Sequence, residues 1–122
     1  MTKIAINGIG RIGKLVLKLL LQNKYDIKYL NEINGDTKSL IHSLEFDSIH
    51  GKWDDCFELN NVSIKINNKE IKTTFFSNIE DLNLDDIDLI LDCTGVHKSS
   101  SKLQKYFDKG VKKVIVSAPI NE

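Results

Sequence analysis

The sequence predicts an α/β domain built on an open, mostly parallel, doubly wound sheet. Three observations lead there. Short apolar runs with little polar alternation, Ile4-Ala5-Ile6, Ile27–Leu30, Ile87–Cys93 and Val114-Ile115-Val116, suit strands covered on both faces. Helical patterns fall between these runs, and alternation of strand with helix is the signature of a parallel sheet. A glycine cluster at Gly8, Gly10 and Gly13 divides the first run from the first helix, so that strand, turn, helix and strand fit within about 30 residues, one βαβ unit.

Each element has its own signal. After the glycines, Ile12, Leu15, Val16, Leu19 and Leu20 share one helical face. Asp36 or Thr37 can cap a second helix whose buried stripe is Leu40, Ile41 and Leu44. Val62, Ile64 and Ile66 alternate with polar residues, as do Ile71, Thr73 and Phe75, with Asn67-Asn68 between them; this reads as a half-exposed hairpin inserted in the sheet. The run Ile87–Cys93 is interrupted by Asp88 and Asp92 yet reads as a buried strand, and the acidic stretch Asp81 to Asp88 before it as a solvated loop. Ser99 to Asp108 is helical, with Leu103, Tyr106 and Phe107 packing and Gly110 as its stop, and Val114–Val116 is a further buried strand.

Composition narrows the function classes. The length, 122 residues, is that of one domain, residues 1–122. Seventeen Lys and Arg balance seventeen Asp and Glu, which removes any general attraction to nucleic acid or anionic membrane. No apolar run approaches the roughly 20 residues of a membrane span, and the N-terminus has no signal-peptide pattern. Two cysteines, Cys56 and Cys93, make neither a disulfide framework nor a metal site; they are expected as reduced thiols in a cytoplasmic protein with no bound metal.

Gly8-Ile9-Gly10-Arg11-Ile12-Gly13 has the G-x-G-x-x-G spacing in the context it requires, after a buried strand and opening an amphipathic helix. Gly8 permits the tight turn, Gly10 clears the way for a pyrophosphate, and Gly13 allows close packing of the helix. The unpaired amides and positive dipole end of that helix then face the anion. The motif also calls for an acid about 20 residues further on, accepting from the ribose hydroxyls. Glu32 holds that place, and its charge would repel a 2′-phosphate, which favours NAD over NADP. The domain is therefore expected to be of the Rossmann type, with a small-molecule dinucleotide as partner.

These residues resemble the phosphorylating, NAD-dependent glyceraldehyde-3-phosphate dehydrogenases. The opening Ile4–Gly13 is similar to that family's signature start, Phe46–Lys52 to its aromatic-Asp-Ser-x-His-Gly segment, Asp92–Val96 to its Ser-Thr-Gly strand end, and Ser117-Ala118-Pro119 to its Ser-Ala-Pro turn. The hairpin also falls where the family has one. The resemblance implies that Arg11 and Ile12 offer backbone amides to the pyrophosphate, that Asn7 lies beside the adenosine side, and that Thr94, Gly95 and Ser117 line the nicotinamide end. Glu32 stands where the family usually has aspartate. No basic residue near Ser77-Asn78 matches the family's residue by the adenine, so no adenine contact is assigned there.

The family's catalytic cysteine and histidine belong to positions beyond residue 122. The chain is therefore expected to be the cofactor half, truncated before the catalytic domain and not catalytic alone. The aldehyde-phosphate substrate and a homotetramer are expected for the complete enzyme. No catalytic residue is assigned. Cys93 reads as a structural thiol, and Cys56 as blunted by Asp54 and Asp55. His42 and His97 read as surface or capping groups and His50 as structural. The alternatives are the cofactor domain of erythrose-4-phosphate dehydrogenase, a stand-alone non-catalytic dinucleotide-binding module, and a semialdehyde dehydrogenase of similar plan.

Overall fold

In the computed structural model, residues 2–33, 36–46, 57–60, 62–66, 69–96 and 99–117 are described, with the backbone alone for 43–46 and 57–60. Strand β1 (Lys3–Asn7) leads into helix α1 (Arg11–Gln22) and strand β2 (Asp26–Asn31). Helix α2 (Thr37–Phe46) precedes strands β3 (Phe57–Asn60), β4 (Ser63–Ile66) and β5 (Lys69–Thr74). A 3-10 turn (Ile79–Asp81), strand β6 (Leu89–Asp92), helix α3 (Ser100–Asp108) and strand β7 (Lys113–Val116) complete the order.

The seven strands form one sheet in the order β3-β4-β5-β2-β1-β6-β7. From β5 to β7 every neighbouring pair is parallel, whereas β3-β4-β5 is an antiparallel meander. The chain winds outward from β1 to β2 and β5, then crosses back to place β6 on the other side of β1. The carboxyl ends of β1 and β6 thus form the switch point of a doubly wound sheet, where such folds leave a crevice.

Successive residues of β1 point to opposite faces. Ile4 and Ile6 pack with Leu17, Ile27, Leu30, Leu40 and Ile64 on the α1–α2 face; Ala5 packs with Tyr29, Leu103 and Tyr106 on the α3 face. Asp36 caps α2, its Oδ1 accepting from the Ser39 amide at 2.8 Å, and Ser99 caps α3. Helix α1 ends where Lys24 takes a left-handed conformation and Tyr25 donates back to Leu20.

Five sequence expectations need correction. The face of α1 that packs on the sheet carries Gly13, Val16, Leu17, Leu20 and Leu21, while Ile12, Leu15 and Leu19 are exposed; the apolar arc on this helix is wider than the stripe the sheet covers. Phe107 is 44% exposed because Leu103 and Tyr106 already fill the contact beneath α3. β7 is an edge strand with Ile115 outward, not a fully buried one. The hairpin is a three-strand meander through β3, whose Phe57-Glu58-Leu59-Asn60 alternation of apolar and polar residues the sequence reading passed over. In the acidic loop Leu82, Leu84 and Ile87 are buried anchors between exposed acids. The hairpin turn at Asn67-Asn68 lies outside the described residues, and no helix among the described residues is long and apolar enough to cross a membrane.

Candidate cofactor site

The glycine turn sits at the carboxyl end of β1. Gly8 has φ +98°, and a Cβ there would lie 2.6 Å from the Thr94 nitrogen, so no other residue fits. A Cβ on Gly13 would lie 2.0 Å from the Gly8 carbonyl oxygen; the start of α1 packs on the turn itself. Gly10 differs. Nothing stands within 4 Å of its hypothetical Cβ, and no side chain caps the helix that it opens. Gly10, Arg11 and Ile12 are exposed. The first turn of α1 therefore presents amides to open space, which fits a diphosphate.

Glu32 follows β2 and leans over the same turn. Its Oε1 accepts from the Ile33 amide at 3.0 Å and, more distantly, from the Ile9 amide at 3.4 Å. Across the switch point, Thr94 and Gly95 follow β6 and Ser117 follows β7; the Ser117 amide donates to the Asp92 carbonyl at 3.0 Å. Gly8, Gly10, Arg11, Ile12, Gly13, Glu32, Thr94, Gly95 and Ser117 are thus gathered at one end of the sheet.

Asn7 departs from its expected place. It is buried, its Oδ1 accepting from Asn31 Nδ2 and its own Nδ2 donating to the Tyr106 hydroxyl, each at 2.8 Å. Its side chain is spent beneath the site rather than turned toward a ligand. The reason is a buried polar chain that sequence reasoning missed. Asn31 Oδ1 accepts from the Phe76 amide at 3.0 Å and from the Thr74 hydroxyl at 2.6 Å, while its Nδ2 also reaches the Phe76 carbonyl. The Tyr106 hydroxyl, receiving from Asn7, donates to Asp92 Oδ2 at 2.6 Å. Asp92 Oδ1 accepts from the Thr94 amide at 3.0 Å and the Thr94 hydroxyl at 2.7 Å. The signals for it were asparagines at the positions ending β1 and β2, an acid ending an apolar strand, and a tyrosine on a buried stripe.

Cys93 is half-buried. Burial pushes its thiol above the ordinary cysteine value, against an opposing hydrogen bond from Ser117, so it is a poor thiolate. His42 is exposed on α2. Cys56, His50, His97 and the segment from Asp47 to Lys52 lie outside the described residues, as do Ala118 and Pro119.

Residues 2–100 match the family model described as the NAD-binding domain of glyceraldehyde 3-phosphate dehydrogenase. The chain is 33% identical to a glyceraldehyde-3-phosphate dehydrogenase of a Nostoc species, with 98% of this chain and 36% of that protein covered. It is 35% identical to the enzyme of that name from Thermotoga maritima, covering 98% of the chain and 37% of the relative. The Clostridium acetobutylicum relative is 36% identical over 98% of the chain and 36% of its own length. The chain thus spans little more than a third of these relatives. Their names favour none of the alternatives to the main reading.

Proposed function

The chain belongs to the glyceraldehyde-3-phosphate dehydrogenase family through that family's NAD-binding domain, and on that premise we propose that NAD is held across the carboxyl ends of β1, β2 and β6. The supporting observation is the pairing of an uncapped, exposed helix start at Gly10 with the Glu32 carboxylate beside the same turn.

In this reading the amides of Arg11 and Ile12 bind the pyrophosphate, while Gly10 keeps their approach clear of side chains. Glu32 accepts from the ribose hydroxyls and repels a 2′-phosphate. Gly8 and Gly13 hold the turn in shape. Thr94, Gly95 and Ser117 orient the nicotinamide end, and Asn7 acts from below by fixing the end of β1. When bound, NAD supplies the hydride acceptor. The 122 residues act as the cofactor-binding unit, and the activity named for the relatives is proposed for the protein as a whole. That activity is the oxidative phosphorylation of an aldehyde phosphate, in a cytoplasmic homotetramer.

Calorimetric titration with NAD and NADP tests the reading. NAD is expected to bind more tightly, and Glu32→Ala to weaken NAD by about tenfold while narrowing the gap to NADP. Equal affinity of the unaltered protein for both cofactors removes Glu32 from this role.

A further inference from the structure

We propose that Tyr106 is a positioning residue for the cofactor site: its hydroxyl, held between Asn7 and Asp92, fixes the Thr94–Gly95 turn against the glycine turn. The inference rests on the cofactor reading above for its consequence, and on geometry alone for its cause.

The hydroxyl belongs to α3 yet touches the ends of both central strands. It receives from Asn7, the last residue of β1, at 2.8 Å, and donates to Asp92, the last residue of β6, at 2.6 Å. With Oδ2 engaged by Tyr106, Asp92 presents Oδ1 to the amide and hydroxyl of Thr94. The Thr94 hydroxyl in turn accepts from the Val96 amide at 3.2 Å, which closes the turn around Gly95. The backbone of this turn is also the wall on which Gly8 rests. A shift of Asp92 therefore moves both sides of the crevice at once.

Every proton in the chain has one direction. Asn31 donates to Asn7, Asn7 to Tyr106, and Tyr106 to the carboxylate. Burial and the nearby Asp92 charge raise the phenol far above its ordinary value, so it remains a donor wherever the fold persists. Tyr106 and Asp92 are fully buried, so water cannot replace a lost member.

Tyr106→Phe keeps the ring and deletes the hydroxyl. Leu103→Ala, on the same helix but outside the hydrogen-bonded chain, is the control for packing loss. Three quantities are measured on the 122-residue chain: melting temperature, hydrogen exchange at the Thr94 amide, and the NAD dissociation constant. Tyr106→Phe is expected to speed Thr94 exchange and raise the NAD constant about tenfold. Leu103→Ala is expected to lower the melting temperature with NAD affinity unchanged. If Tyr106→Phe lowers stability but leaves Thr94 exchange and NAD affinity as they were, Tyr106 is a core residue and the proposal is overturned. If the unaltered chain does not bind NAD, the cofactor reading fails by itself. Thr94 exchange then decides the positioning claim, upheld if faster in Tyr106→Phe than in Leu103→Ala and overturned if not.

Discussion

Strand β6 is tied at both ends by an aspartate, and the two ties differ in what surrounds them. At the amino end, Asp88 Oδ2 accepts from the Lys3 amide at 3.0 Å, and the Asp88 carbonyl accepts from the amides of Lys112 and Lys113. Its side chain is 36% exposed and stands 3.8 Å from the Lys112 ammonium. At the carboxyl end, Asp92 is wholly buried, with Tyr106 and Thr94 on its oxygens. Both carboxylates pin a neighbouring segment to β6. At the amino end water can substitute for a lost partner; at the carboxyl end it cannot. The sheet therefore concentrates its least replaceable polar contacts directly under the proposed cofactor crevice.

The sharpest way to break this comparison is Asp92→Ala. It removes one acceptor shared by the Tyr106 hydroxyl, the Thr94 amide and the Thr94 hydroxyl. The expected cost is on the order of 3 kcal/mol, since a buried donor such as the Tyr106 hydroxyl that loses its acceptor costs about 1–3 kcal/mol and the half-buried Thr94 donors add less. A thermal melt should show Tm lower by on the order of 15 °C. A loss no larger than that of Asp88→Ala would show that burial does not distinguish the two ends.

Gly13→Ala comes next. The new Cβ meets the Gly8 carbonyl oxygen at 2.0 Å, a backbone atom that cannot step aside alone. Separation of α1 from the turn should cost about 2–3 kcal/mol. The same movement should weaken NAD in titration, whereas Gly10→Ala, which points into open space, should lower stability less and affect binding chiefly by obstruction. Equal stability losses at the two glycines would contradict the packing described here.

The backbone plan was legible because it depends on local signals. Ile4–Ile6 before a glycine cluster, the Asp36 cap, and the alternation of Ile64, Ile66 and Ile71 each specify an element from neighbouring residues. The position of Glu32 beside the glycine turn was legible through its spacing from Gly13. The Asn31–Asn7–Tyr106–Asp92 chain was not. Its members come from β2, β1, α3 and β6, and Asn7 and Tyr106 are 99 positions apart. Polar residues in apolar runs read locally as interruptions, and only the strand order turns them into partners. The misplaced stripe of α1 has the same origin. Ile12, Leu15 and Leu19 share an arc with the packed residues, and the sequence does not say where the sheet's cover ends.

Asp88 gives the smallest effect, and its pH dependence sharpens the contrast. The Lys3 amide first, and then the charges of Lys112 and Lys3, hold its carboxyl below the ordinary aspartate value in the folded protein. A depressed folded value means that the unfolded chain takes up the proton first as pH falls. The stabilisation is therefore fully present above the unfolded aspartate value and is lost as pH drops through the folded one. Asp88→Asn should remove that dependence, bringing the melting temperatures of variant and parent together in strong acid while the parent remains slightly higher at neutral pH. Salt should shrink the neutral-pH gap, because the Lys112 contact is exposed. A gap that persisted unchanged in strong acid would mean that Asp88 stabilises by shape rather than by charge, and the difference between the two ends would then need another cause.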